Sequence, residues 1–196
     1  MAKARAKTRS KSKKQARTAA RPARGARDAI ALLKADHRQV EQWFSQFEKA
    51  RDDQRKLELA TSICNALKVH TTIEEEIFYP AFIAEAQDRD LHHEAIVEHD
   101  GAKKLIAEIE ASGPDDDFYD AKVKVLSEMI KHHVKEEEQP GGMFAEARKA
   151  GMDLVALGAQ LAARKAELEG DMGAAASMPG ARKGRNGGAR GLQGHH

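Results

Sequence analysis

His70-Thr71-Thr72-Ile73-Glu74 and His133-Val134-Lys135-Glu136-Glu137 repeat one pattern 63 positions apart, a histidine followed four residues later by a glutamate. On a helix the two side chains lie one above the other on the same face, so a single helix can offer a nitrogen and an oxygen to one metal ion. Two such helices facing each other can build a two-metal site. Histidines 37, 70, 99 and 133 are separated by 33, 29 and 34 residues, about the length of a helix plus its loop. That spacing places one histidine on each of four helices. Burying ionised carboxylates without a counter-charge costs several kcal/mol each. No lysine or arginine shares the apolar stripes that carry Glu74 and Glu137, so the expected counter-charge is a metal cation.

The elements that must hold these residues follow from a hydrophobic rhythm close to 3.6. Ile30, Leu33, His37, Val40, Phe44 and Phe47 step by three and four, and put His37 inside an apolar stripe. Ile63, Leu67, His70, Glu74 and Ile77 do the same in a second helix, which Pro80 bends or ends. A third helix carries Leu91, Ala95, Ile96, Ala102, Leu105, Ile106 and Ile109 and stops at Ser112-Gly113-Pro114. The fourth runs from about Asp117 to Glu138, with Asp115-Asp116-Asp117 as turn and cap before it and Pro140-Gly141-Gly142 after it. Beyond Gly151, Leu154, Leu157, Leu161 and Leu168 mark a further amphipathic helix, expected along the outside of the bundle or against a second copy as a dimer contact. The fold class is therefore all-α, an antiparallel up-down four-helix bundle with an additional C-terminal helix and disordered tails.

Helical phase selects among neighbouring candidates. At 100° per residue, with Phe118 at zero, the apolar face of the fourth helix centres near 80°; His133 falls at about 60°, Glu137 at about 100° and His132 near 320°. His133 and Glu137 are the inward pair, and Glu136 is placed at the border of the site. On the third helix His99 lies about 80° from the apolar centre, His92 about 100°, and Glu98 close to it, so all three stay open on pattern alone. Glu75, Glu76 and Glu138 read as solvated faces.

Imidazole and carboxylate without thiolate suit iron, manganese or zinc, and carboxylates able to bridge favour two ions over one tetrahedral zinc. Four histidines and two glutamates give each ion two nitrogens and two oxygens, leaving positions for water, peroxide or dioxygen. Iron ranks first for such an open site, ahead of manganese and zinc.

Charge is segregated along the chain. Residues 1–27 carry eleven lysines or arginines and no acid; residues 28–169 hold 18 bases against 30 acids, a balance of −12; residues 170–196 form a Gly/Ala-rich segment with four bases and one acid. The first segment is expected to be a basic disordered tail with weak polyanion or nucleic-acid affinity, the second the folded domain, and the third a flexible tail. There is no signal-peptide core and no run of about 18 apolar residues that could span a bilayer. The single cysteine, Cys64, excludes an internal disulfide and suits a reducing, cytoplasmic setting. No Gly-rich phosphate loop, Cys-x-x-Cys or Gly-x-Ser-x-Gly elbow is present.

Leu32-Leu33-Lys34-Ala35-Asp36-His37, the segment from His70 to Pro80, Glu98-His99 and the segment from His132 to Glu138 together resemble the hemerythrin-like, or HHE cation-binding, domain. The resemblance covers about Ala29 to Phe144 and extends weakly to Leu168. It implies a four-helix bundle around two non-haem iron ions, oxo- or hydroxo-bridged, with His37, His70, Glu74, His99, His133 and Glu137 as ligands and the two glutamates bridging. One departure bears on function. Oxygen-carrying hemerythrins place a further histidine one turn before the third-helix ligand, and here that residue is Ala95. With four histidines both irons keep open positions, which favours sensing or buffering of oxygen, nitric oxide or iron in a stress response over reversible transport. An enzyme that consumes peroxide or repairs iron centres is the first alternative, and a nucleic-acid-binding protein acting through its basic tail is the second.

Overall fold

The computed structural model describes residues 28–177, and every regular element among them is helical. Expectations about the basic segment 1–27 and about residues 178–196 lie outside the described residues. The elements are α1 (Ala29–Lys49), α2 (Asp53–Ile73), a π-helical turn (Glu74–Phe78) leading into α3 (Tyr79–Glu85), α4 (Arg89–Ala111), α5 (Tyr119–Glu138), α6 (Met143–Lys149) and α7 (Leu154–Ser177). Aspartates set most of the starts. Asp28, Asp52 and Asp88 accept the Ala31, Arg55 and Leu91 amides at 2.7, 2.9 and 3.2 Å, and Asp153 takes the Ala156 amide at 3.0 Å. α5 begins two residues later than the sequence suggests, because Asp116 closes the preceding turn on the Phe118 amide.

α1 packs on α2 and α5, and α4 packs on α5 and α2, which closes a four-membered ring of helices. The core divides into two apolar clusters. One contains Val40, Phe44, Phe47, Ile63, Leu67, Ile106 and Leu126; the other contains Ile30, Leu33, Ile73, Phe78, Phe82, Met143 and Phe144. On α1, His37 sits between Leu33 of the second cluster and Val40 of the first, so a polar layer crosses the bundle between two greasy ones.

α7 lies along α1, α2 and the π-turn, with Leu157 and Leu161 buried there. Its apolar stripe is thus satisfied within the chain. The helix also continues past Gly170 and Gly173 to Ser177, into the segment expected to be a flexible tail. α6 folds back against α5 through a tight turn at Gly142, where an added Cβ would overlap the Glu136 carbonyl oxygen.

Pro80 acts differently from a simple helix stop. It has no N–H for the Glu76 carbonyl and its ring crowds that carbonyl, and the chain responds by widening the preceding turn. The Tyr79 amide then donates to the Glu74 carbonyl, five residues back. In an unbroken α-helix Tyr79 would lie about 140° from Glu74. The wide turn rotates it inward, so Phe78 and Tyr79 are buried and Ile77, expected on the inner stripe, is only partly covered.

Candidate metal centre

His37 from α1, His70 from α2, Glu74 from the π-turn, His99 from α4, and His133 and Glu137 from α5 all converge in the polar layer, each no more than 5% exposed. Two groups of donor atoms form there, each with its atoms within 4.8 Å of one another: His37, His70, Glu74 and Glu137 in one, Glu74, His99 and His133 in the other. Glu74 belongs to both. Its Oε2 lies 3.2 Å from His70 Nε2 and 3.4 Å from His99 Nε2. Glu137 Oε2 lies 3.4 Å from His37 Nε2 and 3.7 Å from His133 Nε2. The carboxylates therefore stand between the two histidine pairs.

The histidine rings are held by a second set of acids. His37 Nδ1 is 2.9 Å from Glu138, His99 Nδ1 is 2.9 Å from Glu75, and His133 Nδ1 is 2.8 Å from Glu98. The fourth, His70 Nδ1, faces Asp36 at 3.7 Å. A carboxylate only accepts, so each close contact places the proton on Nδ1 and leaves Nε2 with its lone pair directed into the layer. The partners run in a closed order. Asp36 of α1 serves α2, Glu75 of the π-turn serves α4, Glu98 of α4 serves α5, and Glu138 of α5 serves α1. Each of these acids is the sequence neighbour of an inward residue.

The inner nitrogens meet in pairs. His37 and His70 bring their Nε2 atoms to 3.0 Å, and His99 and His133 theirs to 3.2 Å. Two nitrogens each about 2.1 Å from one ion at right angles stand about 3 Å apart, so both pairs have the spacing of neighbouring ligands. Both Glu74 oxygens and Glu137 Oε2 are buried with no hydrogen-bond partner among the described residues. Orphaned anionic oxygens beside unprotonated imidazole nitrogens call for cations, and the donor set fits a metal pair.

Without metal, protons take up part of that role. Burial pushes His37 and His99 down to about 4. At His70 burial works in the same direction, but the Glu74 and Asp36 carboxylates overcome it and raise the group to about 10. His133 is raised as well, Glu137 and Glu98 outweighing its burial. Of the two central acids, burial and the charge of Glu74 hold Glu137 above the usual carboxylate range; Glu74, beside His70, stays below it despite its burial.

Tyr79 is a further group in the layer that the sequence did not disclose. Its hydroxyl lies 3.1 Å from His99 Nε2 and donates to Glu137 Oε1 at 3.4 Å. Burial and the Glu74 and Glu137 charges keep it protonated, well above the ordinary phenol value. Phe144 of α6 stacks on the His37 ring at 5.9 Å and closes that side.

Several expectations need correction. Glu75 and Glu138 do not face solvent; they hold His99 and His37. Glu76 is solvated and pairs with Arg164. Glu136, placed at the border, bonds Gln139 instead of a site histidine. Of the three third-helix candidates, His99 enters the layer, Glu98 supports His133 and also meets exposed His132 at 3.3 Å, and His92 packs its ring on Tyr79 outside both donor groups. Ala95 is buried in the apolar cluster. Cys64 is buried away from the layer, its thiol pushed up to about 12 by burial.

The family model for the hemerythrin HHE cation-binding domain matches residues 28–140. The chain belongs to the hemerythrin HHE cation-binding family. A solved HHE cation-binding domain-containing protein from Mycobacterium kansasii superposes with a TM-score of 0.61 over 74% of this chain and 89% of that one, at 22% identity, which supports the fold. A curated relative, a DNA nickase from Nostoc sp. (strain PCC 7120 / SAG 25.82 / UTEX 2576), is 28% identical over 120 residues, 60% of this chain. The chain spans 32% of that relative's length. Membership makes this HHE domain a metal-cation binder, and no helix among the described residues is long and apolar enough to cross a membrane.

Proposed function

We propose that this HHE domain holds two non-haem iron ions and serves to sense or buffer oxygen, nitric oxide or iron under stress in the cytoplasm. His37, His70, Glu74, His99, His133 and Glu137 are the proposed ligands, with Glu74 and Glu137 shared between the ions. The observation that carries this reading is the convergence of four histidine Nε2 atoms, paired at ligand spacing, on orphaned buried carboxylate oxygens. Imidazole and carboxylate without thiolate favour iron over softer choices. Bound there, an iron pair supplies reversible coordination of small ligands and one-electron redox capacity. The protein's own share is positional: Glu138, Glu75 and Glu98 fix the orientation and tautomer of the His37, His99 and His133 rings, two apolar clusters flank the layer, and Ala95 offers no extra donor that would saturate one ion. Visible absorption of the iron-loaded protein that bleaches reversibly with dioxygen or nitric oxide is the expected result; a spectrum indifferent to both gases contradicts the sensory reading.

Tyr79 favours an enzymatic second reading. A buried hydroxyl that keeps its proton beside the donor groups can donate a hydrogen bond to a peroxide oxygen and orient it. Oxygen evolution from hydrogen peroxide above a free-iron control supports that activity, and its absence removes it. The nucleic-acid reading rests on the basic segment 1–27 and on the relative described as a DNA nickase. A form lacking residues 1–27 that binds nucleic acid as well as the full chain would eliminate the tail mechanism.

A further inference from the structure

The seam between α1 and α5 is open along its outer side. It forms two adjoining grooves of about 180 and 210 Å³ that share Phe44 and Ser127. Together they reach the roughly 300–1,000 Å³ of small-molecule sites. The floor is apolar, built from Phe44, Phe47, Val123, Ile130 and Val134, and the second groove ends at the ring of His37. From Val123 to Val134 the helix rises about 16 Å, which sets the length available to an occupant.

Ser127 occupies a buried position on the α5 stripe, four residues after Val123 and three before Ile130. Its hydroxyl is buried, has no hydrogen-bond partner among the described residues, and lines both grooves. A large residue at this position would fill the seam; serine leaves it continuous and places one polar atom midway. The rim charge is unusual for this domain. Residues 28–169 are strongly acidic, yet the groove is lined by six bases and four acids. Arg38 pairs with Glu41 and Glu138, and Lys56 with Asp120. That leaves Arg51, Lys124, Lys131 and Lys135 without ion-pair partners among the described residues, against Glu48 alone on the acidic side.

We infer that the α1/α5 seam binds an amphipathic organic anion, a carboxylate on an extended apolar body of the fatty-acid kind. The apolar body lies along Phe44, Val123 and Ile130, Ser127 gives a hydrogen bond within the seam, and Lys131 and Lys135 hold the carboxylate near the His37 end. Charge argues against the other candidates. Residues 1–27 and 178–196 carry only bases, and a second copy would bring the same cationic rim. Both would be repelled.

The test uses the full chain as purified and dodecanoate at monomeric concentrations, followed by isothermal titration calorimetry. The expected result is saturable binding of one dodecanoate per chain, at least about tenfold tighter than dodecyltrimethylammonium, since opposite charge at the rim decides between them. Lys131→Glu with Lys135→Glu, both exposed, should weaken dodecanoate at least about tenfold without changing helicity. Ser127→Phe should abolish it. Equal affinity for the anionic and cationic chains, or undiminished binding by the lysine variant, overturns the inference, and so does a dimer in light scattering that occupies the seam. Metal content is read in the same samples, so failure here leaves the metal centre untouched.

Discussion

Replacing His133 by alanine tests the geometry against its nearest decoy, the adjacent His132. The His133 ring is buried, with Nδ1 2.8 Å from Glu98 and Nε2 3.2 Å from the His99 nitrogen. Its removal takes one nitrogen from the donor group shared with Glu74 and His99 and leaves Glu137, 3.7 Å away, with one fewer counter-charge. Breaking one side of a buried pair typically costs about 3–5 kcal/mol. For a chain of this size each kcal/mol moves Tm by roughly 2–4 °C, so a fall on the order of 10 °C is expected. His132 has a side chain 60% exposed, and its contact with Glu98 is screened by solvent. Its alanine variant should stay within about 0.5 kcal/mol of the parent. Thermal unfolding with and without chelator, alongside metal analysis, separates the cases. His133→Ala should lose bound metal and most of the chelator-sensitive stability, and His132→Ala neither. Metal stripped by His132→Ala but retained by His133→Ala would refute the assignment on α5.

Four further outcomes are expected. Glu98→Gln and Glu138→Gln remove the carboxylates that fix His133 and His37, and each should weaken metal affinity about 10–100-fold in competition with a chelator while helicity is kept. Metal loading at pH 7 should release on the order of two to three protons, because His70, raised to about 10, Glu137, held above the usual range, and His133, raised as well, must give theirs up. Loading measured in buffers of differing ionisation enthalpy reads this directly, and affinity should climb from about pH 5 to 8. In the metal-free protein, the His70 contribution to stability is complete below its unfolded value of 6.5 and fades as pH rises through about 10. Those of His37 and His99 are complete above 6.5 and fade as pH falls through about 4. Stability without metal should therefore be greatest between these limits, and a monotonic rise across them would contradict the assigned protonation. Gly142→Ala should cost about 1–3 kcal/mol by pushing α6, and with it Phe144, off the His37 ring, as chemical denaturation can show.

The inward residues were legible because each lies on an apolar stripe that only a helix of period 3.6 makes coherent. His37 between Leu33 and Val40, and His133 rather than His132, follow from phase alone. The outer acids were not legible for a related reason. Asp36, Glu75, Glu98 and Glu138 sit one residue from an inward position, about 100° around the helix. For Glu75 and Glu138 that direction looks like solvent on a single helix, and Glu98 lies near the apolar centre where it reads as a rival ligand to His99; in a ring of four all of them point at the neighbouring helix. An acid beside each inward residue was the available signal, and it needs the helix order to be read. Tyr79 was hidden by the π-turn, since a phase carried unbroken through Pro80 turns it away from Glu74 and puts Ile77 inside. Serine 127, on an otherwise apolar stripe, was visible but mute until the open seam beside it was known.

Cations filling the space between the two histidine pairs are what the site requires. Elemental analysis of protein purified without chelating resin measures them most directly. About two ions per chain, predominantly iron, is the predicted result, lost together on His70→Ala or Glu74→Ala. Protein that stays metal-free after anaerobic exposure to ferrous iron, and unfolds at the same temperature with or without it, would contradict the central claim.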